Sequence, residues 1–234
     1  MRLNKFLARS GIASRRKCDT LIETGKVVIN GKVNRDFSFQ VSPDDVVVCD
    51  GHTLDSMPPR RVYLLNKLKG YISTSEDPQG RKKVIDLIPV DERLFTIGRL
   101  DRDTTGAIVV TNDGELANVL MHPKNQIERI YIAATKIDIP RERHHLLSKG
   151  IHLDDGSISK GDLTRLEKRG GLIYWKVILK RGRKHEVKRI FVALDSKVIH
   201  LHRQSFAGFH VDNLAPGKFR LLKKHEVKKL EQGK

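Results

Sequence analysis

The residues best suited to chemistry stand close together in GRLDRDTTGAIVVTNDGEL, residues 98–116. Gly98 and Gly106 punctuate a loop between two expected strands, and Asp101 and Asp103 are the acidic residues inside it. Three uses of these carboxylates compete. They can satisfy local amides in an Asx turn. A D-x-D pair can hold Mg²⁺, but such sites ordinarily draw on substrate phosphates and further carboxylates, and none is evident nearby. A lone carboxylate can act directly on a substrate, as nucleophile or as base. That use requires the ionised form, which an adjacent cation favours.

A suitable cation lies in KRGRKHEVKRIFVALD, residues 180–195. Val187, Ile190, Phe191 and Leu194 fall on one face at helical spacing. Lys188 sits at the edge of that face, half-buried, where it can pair with Asp101. His185 and Arg189 point nearly away from it and, with Arg183, are expected to be free for phosphates. An ordinary amphipathic surface helix accounts for the same pattern. In ERIYIAATK, residues 128–136, Arg129, Tyr131 and Ala133 alternate onto one face of a strand. Tyr131 there is either a core aromatic or a platform for a flat ligand.

The partner is indicated by charge. Among 234 residues, Lys and Arg number 45 against 28 Asp and Glu, a formal net charge of +17. A surplus that repels itself on the surface suits a polyanionic partner. The longest apolar runs, AIVV and VVV, are too short to span a bilayer, and basic residues run through the first helix where a signal segment would be apolar. Cys18 and Cys49 show neither CxxC nor metal-like spacing, so a reduced, cytoplasmic chain without a structural disulfide is expected. The histidine pairs His200/His202 and His144/His145 lack a completing ligand set; no metal site and no cofactor are expected.

Around these residues the pattern predicts two units. RLNKFLAR gives a first helix with Leu3, Phe6 and Leu7 on one face and Arg2, Lys5 and Arg9 on another. A second helix follows Ser14, a suitable N-cap, with Gly25 as its stop. KVVINGKV reads as a hairpin turning at Asn30-Gly31, and DVVVCD as a third strand. Arg15, Arg16 and Lys17 occupy the first turn of the second helix, where the helix dipole disfavours cations. That placement points to a phosphate-binding face. DGHTLDSMPPRR, residues 50–61, reads as a polar connection stiffened by Pro58-Pro59. Beyond it, strands are expected near 62–67, 69–74, 95–99, 106–111, 127–136, 162–168, 171–180, 197–206 and 217–222. Helices are expected near 83–88, 113–121, 140–148, 184–194 and 223–231. The class is α+β with a mixed, largely antiparallel sheet.

Residues 1–33, MRLNKFLARSGIASRRKCDTLIETGKVVINGKV, resemble the small αL RNA-binding domain of the S4 type. The resemblance implies RNA contacts from Arg2, Lys5, Arg9, Ser14, Arg15, Arg16 and Lys17, with Lys26 and Asn30 as additions. The rest of the chain is similar to the bacterial ribosomal RNA pseudouridine synthases that carry such a domain, the RsuA/RluB group. Its motifs are YLLNKLKGYISTSEDPQGRKKVIDLIP, GRLDRDTTGAIVVTNDGELANVLMHP, IERIYIA, RGRKHEVKRIF and VIHLHRQSFAGFHVDNLAPGKFRLL, in that order. The resemblance implies an S4-like domain over 1–55, a linker over 56–61 and a pseudouridine synthase catalytic domain over 62–234. It makes Asp101 the catalytic aspartate, Tyr131 the residue stacking on the target base and Lys188 the cation paired with Asp101. Arg99 positions the displaced nucleotide's backbone. Glu186 departs from the family, standing where Gln is frequent. The implied reaction is isomerisation of uridine to pseudouridine, and the last two motifs lean toward 16S over 23S RNA. The implied partner is ribosomal RNA or a ribosome assembly intermediate, bound by a monomer; a non-catalytic RNA-binding protein is the alternative.

The reaction fits these residues. Uridine is isomerised without electrons entering or leaving, so no redox cofactor is required. The base must leave its stack, at a cost of a few kcal/mol offset by aromatic stacking and backbone contacts. With so much charge directed at phosphates, log affinity for RNA should fall linearly and steeply with log salt. A filter-binding series across salt concentrations measures the slope; a flat line contradicts a phosphate-dominated interface.

Overall fold

A computed structural model describes residues 1–54 and 57–232. The domain boundary expected between 55 and 56, and the last two residues, 233–234, lie outside the described residues. The chain forms two compact units. One comprises Met1–Arg61, Val90–Leu94 and Asn112–Gly114, the other Val62–Pro89, Phe95–Thr111 and Glu115–Lys234. No helix among the described residues is long and apolar enough to cross a membrane.

In the first unit, α1 (Leu3–Arg9) and α2 (Arg15–Glu23) pack on a four-stranded sheet. The sheet is built from β1 (Val27–Ile29), β2 (Lys32–Val33), β3 (Val47–Cys49) and β4 (His52–Thr53), in the order β2-β1-β3-β4. Leu3 and Leu7 of α1 and Cys18 and Ile22 of α2 meet Val27, Ile29, Val47 and Cys49 in one core. The Ser14 hydroxyl caps α2 by accepting from the Lys17 amide at 3.3 Å. Asn30 and Gly31 take φ of 49° and 80°, the primed turn that joins β1 to β2. Asp50 and Gly51 repeat this geometry at 51° and 83° and fold β4 back on β3. The polar connection expected from residue 50 is therefore partly strand, its D-G dipeptide being a hairpin turn. Both cysteines are free and buried, and burial pushes the Cys18 thiol up to about 11.

The second unit is built on a nine-stranded sheet. Its strands include β5 (Val62–Lys67), β6 (Phe95–Ile97), β7 (Thr105–Thr111) and β8 (Arg129–Thr135). A short separate hairpin pairs β9 (Ile151–His152) with β10 (Ile158–Ser159). The large sheet continues with β11 (Gly161–Arg169), β12 (Leu172–Leu179), β13 (Val198–Phe206), β14 (Phe209–His210) and β15 (Phe219–Leu221). Its order is β11-β12-β8-β13-β7-β5-β15, with β14 on β13 and β6 on β7. The helices are α3 (Gly114–Met121), the four-residue α4 (Leu146–Lys149), α5 (Glu186–Ala193) and α6 (Lys224–Glu231). The sheet is mixed and largely antiparallel: β13 and β7 run parallel, the other pairs antiparallel. Leu64, Ala107 and Val109 pack with Leu116, Leu120, Phe206, Val227 and Leu230 to form a core under α3 and α6.

Two expected elements are replaced. Residues 69–74 form no strand beyond a single bridge from Ile72 to Lys83, because their polar groups bond the loop around Asp101 instead of a sheet neighbour. The helix expected over 140–148 splits into a 3₁₀ turn, Arg141–Arg143, and α4. Between them His144 sets its ring edge-on to Trp175 at 5.1 Å.

The parallel contact of β7 with β13 is short, pairing Thr105 with His202 and Gly106 with Arg203. Gly106 has φ of 105°, and a Cβ there would stand 2.2 Å from the Arg203 carbonyl oxygen. Gly106→Ala should therefore cost about 3 kcal/mol or more in urea unfolding. Gly80→Ala, also at positive φ but with nothing within 4 Å of the added Cβ, should cost about 1–2 kcal/mol. Equal losses would refute the close approach.

Candidate active site

Asp101 lies in the loop between β6 and β7, and that loop is irregular backbone whose carbonyls need donors. Lys67, at the end of β5, supplies them. Its side chain is fully buried, and its ammonium donates to the carbonyls of Leu68 (3.0 Å), Asp101 (3.0 Å), Arg102 (3.4 Å) and Thr104 (2.7 Å). The segment after β5 grips the same loop from the side. The Gly70 amide donates to the Arg102 carbonyl at 2.7 Å. The Ser73 hydroxyl donates to the Leu100 carbonyl at 2.9 Å and accepts from the Leu100 amide at 3.1 Å. Asp101 thus enters the cleft on a backbone fixed from two directions.

Its carboxylate meets α5. Val187, Ile190 and Phe191 bury one side of that helix, with Phe191 edge-on to Trp175 of β12 at 6.3 Å between centroids. This leaves Lys188 half-exposed at the margin, and its ammonium donates to Asp101 Oδ2 at 2.8 Å. His185 occupies the N-cap of α5 at φ 53° and places Nε2 3.3 Å from Asp101 Oδ1. His185 was expected to point away and remain free for phosphates. A helical wheel does not apply to a left-handed residue outside the helix, and the φ value turns the ring toward Asp101.

Arg189 departs from the same expectation: its guanidinium is held by Asp154 and by Asp155 (2.7 Å), which lie between β9 and β10. Arg183 lines the cleft, with its guanidinium donating to the Ile158 carbonyl at 2.9 Å. Glu186 does not line the cleft. It is buried, accepting from the Ser159 hydroxyl and the Arg183 amide, both at 2.8 Å.

The cleft is a cavity of about 1000 Å³ in the second unit. Asp101, Arg99, Tyr131, His185 and Arg183 all line it. Tyr131 on β8 stands opposite Val177 and Arg203 in the sheet register, with its side chain largely buried and its surface forming part of the cavity wall. Arg129, two residues earlier on the same strand face, lines it too, and so does Arg203. Both guanidinium groups flank the ring of Phe206, at 5.4 Å and 4.9 Å. Burial lowers the pKa of Arg129. Sequence reasoning missed Lys67 and Arg203; Lys67 closes the otherwise apolar strand VYLLNK, which is a usable signal, while Arg203 stands among the polar residues of VIHLHRQSF and gives none. The arrangement presents a carboxylate held by a lysine, an aromatic surface and several cations to a ligand.

The sequence pattern of the RNA pseudouridylate synthase family matches residues 61–193, more than half of the chain. The chain belongs to the RNA pseudouridylate synthase family. The S4 domain pattern matches residues 1–47 of this pseudouridylate synthase. Ribosomal large subunit pseudouridine synthase B of Bacillus subtilis is 39% identical over 98% of this chain and 95% of its own. An uncharacterised RNA pseudouridine synthase of Aquifex aeolicus is 36% identical over 98% of this chain and 93% of its own. A crystal structure of a pseudouridylate synthase superposes with a TM-score of 0.70 at 27% identity, covering 98% of this chain and 99% of that one. The synthase therefore shares with these relatives both units, not the catalytic fold alone.

In the first unit, Arg2, Arg9, Arg15, Arg16 and Lys17 are exposed, while Lys5 and Ser14 are half-buried. The first turn of α2 contains no acidic residue.

Burial takes the Lys67 pKa down to about 8, against the opposing pull of Asp101. Between about pH 8 and the ordinary lysine value of ~10.4, the unfolded synthase keeps a proton that the folded one has released. The contribution of Lys67 to stability must therefore rise with pH across that window. Urea unfolding at several pH values should show this slope in the wild type and lose it in Lys67→Met. An identical pH dependence in both would show that Lys67 titrates alike folded and unfolded.

Proposed function

We propose that this synthase isomerises uridine to pseudouridine in ribosomal RNA, with Asp101 as its catalytic carboxylate. The observation carrying this reading is the convergence of Asp101, Tyr131 and Arg99 on one cavity, with Lys188 in direct contact with the carboxylate. A uridine that leaves its stack enters the cavity and replaces base–base stacking with the ring of Tyr131. Arg99, exposed at the mouth, receives the backbone phosphate of that nucleotide. Lys188 orients Asp101 by one oxygen. The ribose reaches the carboxylate, the glycosidic C–N bond breaks, the base turns, and C5 bonds to the same sugar carbon.

Division of labour follows the two units. The S4-like domain, to about residue 55, holds RNA through Arg2, Lys5, Arg9, Ser14, Arg15, Arg16 and Lys17. The catalytic domain from Val62 carries the chemistry, and Arg183 adds a contact at the cavity. An rRNA substrate places the synthase in the cytoplasm with the ribosome or its assembly intermediates. The likeness to a ribosomal large subunit synthase of Bacillus subtilis favours large-subunit RNA as the target. The α5 motif HEVKRIF and the C-terminal strands favour the small subunit, which keeps 16S RNA as the second reading.

The synthase would be incubated with unmodified 16S and 23S transcripts and with partly assembled subunits, and pseudouridines mapped by carbodiimide adduct and primer extension. A new stop with the wild type, lost in Asp101→Asn, is expected. Asp101→Asn should slow conversion by about 10³-fold or more while RNA affinity stays near that of the wild type. Turnover retained in Asp101→Asn would remove the catalytic assignment, and no stop on any substrate would favour a non-catalytic RNA-binding role.

A further inference from the structure

The isomerisation has a proton problem that Asp101 alone does not solve. Once C5 of the turned base has bonded to the sugar, its C5–H bond must break. The electron pair of that bond restores the C5=C6 double bond, and the proton needs an acceptor. N1, freed from the sugar, takes up a proton from water. Atoms and charge then balance, with one proton lost from C5 and one gained at N1.

The cavity offers few acceptors. Arginine does not deprotonate at working pH, and lysine and phenol side chains ordinarily hold their protons near neutrality, which sets aside the arginines of the cavity, Lys184 and Tyr131. Asp77 is tied to Arg81 at 2.6 Å, and Glu76 stands next to it in the chain. Asp101 is already engaged by Lys188. Among the described residues, His185 is the one imidazole lining the cavity, and imidazole is the side chain that changes protonation between about pH 5 and 8.

Its placement suits the task. His185 Nε2 stands 3.3 Å from Asp101 Oδ1, so a sugar carbon within reach of that oxygen brings its attached base within a few ångströms of the ring. The side chain is 48% exposed and so can exchange its proton with solvent after each turnover. Its backbone at φ 53° lies in a region that costs a residue other than glycine about 1–2 kcal/mol, and the result is a ring aimed at the carboxylate. Resting on the uridine-isomerising reading above, we infer that His185 is the base that removes the C5 proton of the turned uracil.

The test uses the full chain and ribosomal RNA labelled at uridine C5. Tritium release reports C5–H cleavage, and a parallel substrate deuterated at C5 reports whether that cleavage limits the rate. His185→Gln should slow release by about 100-fold, leave RNA affinity within about twofold, and develop a primary deuterium effect larger than that of the wild type. The acidic limb of its pH–rate profile should vanish. His185→Gly, which suits the left-handed backbone, should regain rate when imidazole is added. A role confined to orienting Asp101 would slow glycosidic cleavage without any new deuterium effect, and that result overturns the inference. So does an unslowed His185→Gln beside an active wild type. No tritium release by the wild type on any ribosomal RNA would instead overturn the proposed function itself, and this assignment with it.

Discussion

Asp101 can face a cavity because an ammonium group is buried behind it. The loop that carries it turns several carbonyls inward, where no sheet neighbour can reach them. A loop so arranged would otherwise leave unpaired acceptors in a dry place, at about 1–3 kcal/mol each. Lys67 meets three of those carbonyls from the end of β5, and that of Leu68 beside it. Its burial is costly, as the fall of its pKa to about 8 records, yet the group stays charged at neutral pH. The strand and the loop are thereby locked into one geometry. Ser73 and Gly70 add hydrogen bonds from the flank, which is why the segment following β5 is not a strand.

The other half of the constraint comes from the sheet. Gly106 lets β7 approach β13 closely enough for the short parallel pairing, which sets Arg203 beside the start of β7, a few residues past Asp101. β8 and β12 place Tyr131, Val177 and Trp175 on one sheet face, and α5 packs on that face through Phe191. The packing fixes where the first turn of α5 ends up, and hence the two groups that touch the carboxylate. Carboxylate, aromatic ring and cations are held by strands and by a buried stripe, not by a flexible loop. Such preorganisation lets a site act on a base without reorganising at each turnover.

The sequence was legible where local rules are strong. The Ser14 cap, the Asn30-Gly31 turn and the apolar stripe of α5 all depend on neighbours in the chain, and the pairing of Lys188 with Asp101 followed from that stripe. Sequence reasoning went astray where tertiary bonds override local pattern. Residues 69–74 are apolar enough for a strand, but their hydrogen bonds go to a loop about 30 residues away in sequence. His185 defeated the helical wheel because it lies at the N-cap with positive φ. Arg189 was expected to meet phosphate, and only the hairpin of β9 and β10, too short to register as strands, brings Asp154 and Asp155 to it. Asp50-Gly51 carried the same turn signal as Asn30-Gly31 and was passed over because polar residues follow it.

The distribution of pairing among the charges bears on how a polyanion is received. Away from the cavity, several arginines of the second unit are matched with acids: Arg165 with Asp138, Arg143 with Asp195, Arg220 with Glu226 and Arg189 with Asp154 and Asp155. Within it, Arg99 and Lys184 have no carboxylate partner among the described residues, and Arg203 keeps one buried guanidinium nitrogen without a hydrogen-bond acceptor. Exposed pairs of the first kind contribute little to stability. Their larger effect is to occupy cations that a nucleic acid would otherwise find in unproductive places, which leaves unpaired positive charge at the cavity. Asp77 in the same cavity is paired with Arg81, and the contact of Asp101 with Lys188 blunts its repulsion of an approaching phosphate while leaving it open to the cavity. A carboxylate can serve a polyanionic substrate only under that condition.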